Sequence, residues 1–282
     1  MLTRLDLGST SLCGVSVGGV YTSLLAPELS VIFDAGIAPR SFVGAKFLFL
    51  SHGHADHVGA LPSLIGIRGL AHQPAPTTFM PSEIVEDISA GLASFNRGQR
   101  RAIEVPIVGM LPGDSVQLGA DLHARALRTL HSVPSLAYLL YRRVDKLKAE
   151  FLGQSHEEIA QRRRDGGDLF EQVERHELAY VTDTLVDVLD QNPELYRVRT
   201  LVLECTFLDD KKSRADSRSK FHVHLDEIIE RAHQFQNERV VLMHFSQSYQ
   251  PAEVHRILDA RLPVALRARV LALCPTTGPW PG

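Results

Sequence analysis

The chain has 282 residues and a mass of 31.2 kDa, with 44% hydrophobic residues, a size and composition that can bury a full core. Its 33 acidic residues outnumber 30 lysines and arginines, giving a net charge of −3; this argues against a uniformly basic nucleic-acid surface, so any RNA contact depends on where the cations cluster. No run of roughly 18 apolar residues is present for a membrane span, polar residues interrupt the N-terminal stretch where a signal peptide would need an apolar core, and three scattered cysteines, Cys13, Cys205 and Cys274, point to reduced thiols in the cytoplasm.

In chain order, apolar runs bounded by turn residues predict strands over Val31 to Asp34, Phe47 to Leu50, Ala124 to Leu130, Ala137 to Tyr141, Leu178 to Val181, Thr200 to Leu203, Val240 to Met243 and Val270 to Leu273. Helices are predicted from Ser82 to about Arg97, and from Pro251 through Leu258. Another starts just after His222, where Leu225, Ile228, Ile229, Ala232 and Phe235 fall on one face. From Leu139 to Glu177 the sequence is charged and helix-like. Strands and helices mixed in this way predict an α/β (α+β) αββα sandwich rather than simple strand–helix alternation. Residues 1–274 read as one domain and 275–282 as an irregular tail.

The richest motif follows the apolar run Lys46 to Leu50: Ser51-His52-Gly53-His54-Ala55-Asp56-His57. Three imidazoles and a carboxylate in six residues crowd one ion but suit two. In extended chain, residues two apart point the same way, so His52 and His54 can grip one ion while a turn aims Asp56 and His57 at another. Zinc suits imidazole nitrogen and carboxylate oxygen, with manganese or iron as alternatives. Among the 13 histidines, His131 and His244 also end apolar runs, and Asp183 closes Leu178 to Thr182, where a carboxylate can bridge two ions.

The order HxHxDH, then His, Asp and His, resembles the metallo-β-lactamase superfamily. Within it, Leu203-Glu204-Cys205-Thr206-Phe207-Leu208-Asp209-Asp210, Phe221-His222-Val223-His224 and His244-Phe245-Ser246 resemble the short form of ribonuclease Z from about Gly14 to about Tyr249. The resemblance implies a four-layer αββα sandwich and two Zn2+ per chain. His52, His54 and His131 would hold one ion, Asp56, His57 and His244 the other, with Asp183 between them. It also implies catalytic roles for Asp56, Glu204 and His222, with His224 as competitor for the proton donor. The expected substrate is precursor tRNA, whose 3′ trailer would be removed by hydroxide attack on a phosphodiester, and the expected assembly is a homodimer. The alternative is another binuclear hydrolase acting on a small phosphodiester, thioester or lactone.

The sequence departs from the pattern where Thr182 and Ala137 replace glycines, and where a charged stretch replaces a glycine- and proline-rich arm. Lys211, Lys212, Arg214, Arg218 and Lys220 lie between the Glu204 strand and His222, so their charges are expected to border the cleft. Asp34, in Phe33-Asp34-Ala35-Gly36, reads either as a buttress for a ligand histidine or as a turn former. Ser135 and Ser246 read mainly as local backbone caps.

Overall fold

The computed structural model describes residues 2–100 and 103–281; Met1 and Gly282, at the ends of the expected domain and tail, lie outside them. The first sheet begins as an antiparallel meander of β1 (Thr3–Asp6), β2 (Ser11–Gly18), β3 (Tyr21–Ala26) and β4 (Val31–Phe33). It continues in parallel through β5 (Phe47–Phe49), β6 (Thr77–Pro81) and β7 (Ile107–Met110). The second repeats that plan. β8 (Ser115–Gln117), β9 (Leu122–Arg128), β10 (Leu136–Leu147) and β11 (Phe170–Val181) run antiparallel, then β12 (Thr200–Glu204), β13 (Arg239–Met243) and β15 (Val270–Ala272) run parallel. The short β14 (Phe245–Ser246) crosses back to pair with β2.

Parallel neighbours need crossover connections, and helices supply them. α1 (Ala55–Val58) and α2 (Leu61–Leu70) lie between β5 and β6, and α3 (Val85–Gln99) between β6 and β7. On the second sheet α5 (Asp187–Gln191) follows β11 after the short α4 (His156–Arg164), while α6 (Arg214–Ser219) and α7 (Leu225–Glu230) follow β12. α8 (Pro251–Arg261) and α9 (Val264–Arg267) lead into β15.

Strand alternation sorts the apolar side chains into layers. Tyr138, Leu140 and Tyr180 join Leu24, Phe33 and Phe49 between the sheets. Leu139, Ala179, Val181 and Leu203 face outward onto Val188, Ile228, Val254 and Leu258. Ile32, Leu48 and Met80 meet Leu61, Leu64 and Ile65 on the other flank. The result is the expected helix–sheet–sheet–helix order.

Two expectations need correction. The charged stretch after Leu139 is strand, not helix: β10 and β11 continue as a hairpin in which Val144 pairs with Val173 and Leu147 with Phe170, and only a 3-10 turn (Ala149–Phe151) and α4 at its tip are helical. Its charges sit on an exposed ladder with ion pairs such as Arg125 to Glu174 at 2.7 Å, an arrangement that local helical pattern cannot distinguish. The helix after His222 is shorter than its apolar face suggested, ending at Glu230 before a turn that carries Ala232. The tail has no regular structure, yet it is packed: the Trp280 indole donates to the Tyr249 carbonyl at 2.7 Å, and the Tyr21 hydroxyl donates to the Pro281 carbonyl.

Among the described residues, no helix is long and apolar enough to cross a membrane.

Candidate metal centre and acid pair

Parallel strands end on the same side, and β4, β5, β11, β12 and β13 deliver Asp34, His52, Asp183, Glu204 and His244 to one edge of the sandwich. Three of these, Asp34, Asp183 and His244, have positive φ angles of 56°, 33° and 60°, and Phe221 beside His222 has 60°. The backbone therefore breaks from its strand at these residues, a conformation that non-glycine side chains adopt only when the surroundings hold it. Gly36 explains how the loop closes beneath: a Cβ there would fall 1.9 Å from the Asp56 carbonyl oxygen.

The ligand-type atoms fall into three overlapping groups: His52, His54 and His131 with Asp183; Asp56 and His57 with His244; and His222 with Asp183 and His244. His52 Nε2 lies 3.0 Å from His54 Nδ1, and His131 Nε2 lies 3.3 Å from that same nitrogen. Asp183 Oδ2 is 3.8 Å from His52 Nε2 and 4.0 Å from His131 Nε2. On the other side, Asp183 Oδ1 is 3.3 Å from His57 Nε2 and 3.2 Å from His244 Nε2. Asp56 Oδ2 completes that group at 3.5 Å from His57 Nε2 and 3.8 Å from His244 Nε2.

The chemistry of this donor set fits divalent ions. Among the described residues, His57 Nε2 and His244 Nε2 are buried with no hydrogen-bond partner, a costly state for a polar nitrogen unless a cation takes its lone pair. Imidazole nitrogen with shared carboxylate oxygen is what zinc accepts. Burial raises Asp183's carboxyl, but the surrounding imidazoles of His244, His57 and His52 outweigh it and hold the group well below the usual carboxylate range. Burial and the nearby His57 keep His52 well below its ordinary value, against the pull of Asp183, so its ring is neutral and able to ligate.

Second contacts fix the rings. Asp34, wholly buried, accepts from His57 Nδ1 at 2.7 Å, from the Tyr180 hydroxyl at 2.7 Å, and from Ser51 through its amide at 2.7 Å and its hydroxyl at 2.8 Å. Of the two readings of Asp34, the buttress describes its contacts. The Ser51 oxygen lies 2.9 Å from His52 Nδ1, so that ring leans on Asp34 through one hydroxyl. Thr182, in the place of a glycine, donates its hydroxyl to Asp183 Oδ1 at 2.8 Å.

Glu204 is a further buried carboxylate. It accepts from the Thr184 amide at 2.9 Å and the Thr206 hydroxyl at 2.7 Å, and its Oε1 lies 3.1 Å from His222 Nδ1. Thr206 Oγ1 is also 3.1 Å from His244 Nδ1, so one hydroxyl joins Glu204 to the cluster. The His222 ring stands 5.5 Å from that of His244 and 6.1 Å from that of His131. Burial pushes His222 down, but the charge and hydrogen bond of Glu204, helped by Asp183, prevail and raise it to about 9. His224 is placed differently. Its Nδ1 accepts from the Asp226 amide at 3.2 Å to cap α7, and its Nε2 lies 3.2 Å from the Asp209 carbonyl, so both ring nitrogens serve the backbone.

The structure thus brings together His52, His54, Asp56, His57, His131, Asp183 and His244, with Glu204 and His222 alongside. Sequence reasoning missed Tyr180 and Thr206, whose only signal was that each lies within three residues of a ligand or the acid, and it read Thr182 only as a replaced glycine. Of the five linker cations, Lys211 pairs with Glu253 at 2.7 Å, Arg214 with Glu230 at 2.6 Å, and Arg218 with Asp187 and Glu227 at 2.8 Å each, so nearby acids offset the charge of these three. Ser135 and Ser246 make local contacts, with Thr129 and Ser248 respectively.

A model of the beta-lactamase superfamily domain matches residues 21–245. The Arabidopsis thaliana protein tRNase Z TRZ1 is 34% identical over 262 residues, spanning 92% of this chain and 93% of that one. A chloroplastic relative from the same plant, tRNase Z TRZ2, is 31% identical over 95% of this chain and 76% of its own length. Among solved structures, the short form of human tRNase Z superposes with a TM-score of 0.59 at 16% identity, over 83% of this chain and 92% of that one. The metallo-beta-lactamase fold protein YhfI from Bacillus subtilis gives the same score at 15% identity over 95% and 97%; at these identities both likenesses concern the fold.

Proposed function

Because this chain belongs to the tRNase Z family of the beta-lactamase superfamily, we propose that it is a metal-dependent endoribonuclease that removes the 3′ trailer from precursor tRNA. The observation that carries this reading is the Glu204–His222 pair, a buried carboxylate holding a half-buried imidazole at 3.1 Å between Oε1 and Nδ1, standing beside the shared-carboxylate cluster. A small-ester hydrolase has no comparable observation in its favour.

We assign zinc, two ions per chain. His52, His54 and His131 would hold one, Asp56, His57 and His244 the other, and Asp183 would offer one oxygen to each. When bound, such ions supply a strong nucleophile from water at neutral pH and positive charge beside the phosphoryl oxygens. The remaining work falls to the chain. Asp56, anchored by the Gly19 amide at 3.1 Å, orients the attacking water. The ribose 3′-oxygen is a poor leaving group, and His222, held at Nδ1 by Glu204, presents a proton at Nε2 to receive it. Glu204 keeps that imidazole charged and fixes its tilt.

The test is incubation of zinc-loaded protein with a precursor tRNA and, separately, with a small phosphodiester. Cleavage that leaves a 3′-hydroxyl on the tRNA, with higher kcat/KM than for the ester, supports the reading; preference for the ester sinks it. Elemental analysis near two zinc ions per chain is expected, and a value near one that added zinc does not raise would remove the binuclear assignment. A homodimer in the cytoplasm is the working state we propose. Its compartment is supported by the unpaired state of Cys13, Cys205 and Cys274, and its assembly is checked by light scattering.

A further inference from the structure

We propose that the groove beside His131 holds the first nucleotide of the 3′ trailer, with Arg128 gripping a trailer phosphate. The inference rests on the endoribonuclease reading and gives that reaction a direction across the sandwich.

The groove has a volume of about 380 Å³ and shares His131 with the cluster, within the range of sites that enclose small ligands, about 300–1,000 Å³. One wall comes from the turn between β7 and β8, where Leu111 is 52% exposed. That turn is fixed to β9 by the Gly113 amide on the Ala126 carbonyl at 2.8 Å and the Ala126 amide on the Asp114 carbonyl at 2.9 Å. The opposite wall is the segment Ser132 to Leu136, tied to the ligand loop by the Leu136 amide on the Ser51 carbonyl at 2.9 Å. Both walls are therefore preformed.

Arg128 is exposed at the end of β9 and, among the described residues, its guanidinium has no ion pair or hydrogen bond. Arg125, three positions earlier on the same strand, is by contrast committed to Glu174 through both carboxylate oxygens at 2.7 and 2.8 Å. An arginine left unpaired beside a hydrolytic centre is a ready phosphate ligand. Leu111, Pro112 and Pro134 offer apolar surface to a base and ribose, and the hydroxyl of Ser132 and the carboxylate of Glu83 offer polar contacts at the rim. The Glu83 carboxylate can accept from a 2′-hydroxyl or an exocyclic amine.

Sheet order supplies the direction. Glu204 stands on β12, Asp183 at the end of β11, and His131 and Arg128 at the end of β9. The departing 3′-oxygen must meet His222, which Glu204 holds, so the tRNA body lies on the β12 side. The nucleotide joined through its 5′-oxygen then emerges over β9, where the groove is.

The test first measures cleavage of precursor tRNA by wild-type, zinc-loaded protein; failure to cleave overturns the function itself. Inhibition of that cleavage is then compared for a 5′-phosphorylated trinucleotide of trailer sequence and a 3′-hydroxyl oligonucleotide of acceptor-end sequence. Arg128→Ala should weaken inhibition by the trinucleotide about tenfold and leave inhibition by the acceptor-end oligonucleotide unchanged, at full zinc content. Arg128→Lys should recover part of the loss, since it restores charge without the planar fork. Trinucleotide inhibition that ignores Arg128 overturns the groove assignment, as does a loss confined to the acceptor-end oligonucleotide. Loss of zinc in Arg128→Ala also overturns it, because the arginine would then be shaping His131.

Discussion

The two halves of the metal cluster are braced unequally. Around Asp56, both imidazoles end on a buried carboxylate: His57 on Asp34 directly, and His244 on Glu204 through the Thr206 hydroxyl. Around His54, among the described residues, only His52 is held this way, through Ser51 to Asp34, and His131 Nδ1 is buried with no hydrogen-bond partner. Outer contacts of this kind fix ring orientation and raise ligand basicity. On the proposed two-ion reading, one ion would be retained tightly by a rigid frame. The other would be held by a looser set of rings, on the side of the proposed trailer groove.

The largest expected effect tests the joint between the halves. Asp183→Ala removes an oxygen from both groups, and zinc analysis should show ion content falling at both; loss of a single ion would break the picture of a shared ligand. Next, His222→Ala should lower turnover roughly 10²–10⁴-fold with zinc content full, on the scale of a general acid. An equal loss from His224→Ala alone would contradict the capping role seen for that ring.

Asp34→Asn goes to the comparison itself. It should weaken zinc binding about 10–100-fold, chiefly in the half with His57, so that the two steps of a chelator titration draw together. In wild type those steps should be separate, the His52, His54 and His131 ion leaving first. Simultaneous release would mean that the bracing has no thermodynamic consequence.

A smaller effect is a displaced pH profile. His222 is raised from its ordinary 6.5 to about 9, so it is charged at neutral pH and loses its proton, and with it the donor function, as pH rises through that value. Part of the lift comes from Asp183, and a cation there cancels it, so the alkaline limb of kcat for loaded enzyme should fall below 9. Glu204→Gln keeps a hydrogen-bonding group but removes the charge, and the limb should move lower still. A profile unmoved by that substitution would assign the limb to another group. The smallest change is expected from alanine at Lys211, Lys212 and Arg214 together. With Lys211 and Arg214 already paired to acids, kcat/KM for precursor tRNA should shift only about twofold.

The cluster was legible in sequence because its ligands terminate apolar strands, a position readable from alternation alone: His52 after Leu50, Asp183 after Val181, His244 after Met243. The eight anticipated strands all appear, six of them close to their bounds, while β10 runs on to Leu147 and β11 begins at Phe170. Strands β1 to β3, β6 to β8 and β14 escaped notice. β2 mixes serine and glycine with its apolar residues, and β8 is three residues long with a polar residue on either side of Val116. The hairpin of β10 and β11 was misread because an exposed ladder of alternating charge carries no apolar period, and its pairing of Val144 with Val173 joins residues 29 apart. Bracing by Thr206 and Tyr180 was illegible for a related reason. A hydroxyl's partner is fixed by which strands lie adjacent, and only the folded sheet brings Tyr180 beside Asp34, 146 positions away.

The left-handed backbone at Asp183 and His244 has a further consequence, for heat resistance. Each side chain held at positive φ costs about 1–2 kcal/mol relative to a residue free of that restriction, and glycine is such a residue. The ion-free fold is thus kept below the thermal stability its core would allow, and ligand binding is what restores the deficit. His244→Gly, though unable to hold its ion, should melt at a higher temperature than wild-type protein stripped of zinc, and at a lower one than wild-type protein saturated with it.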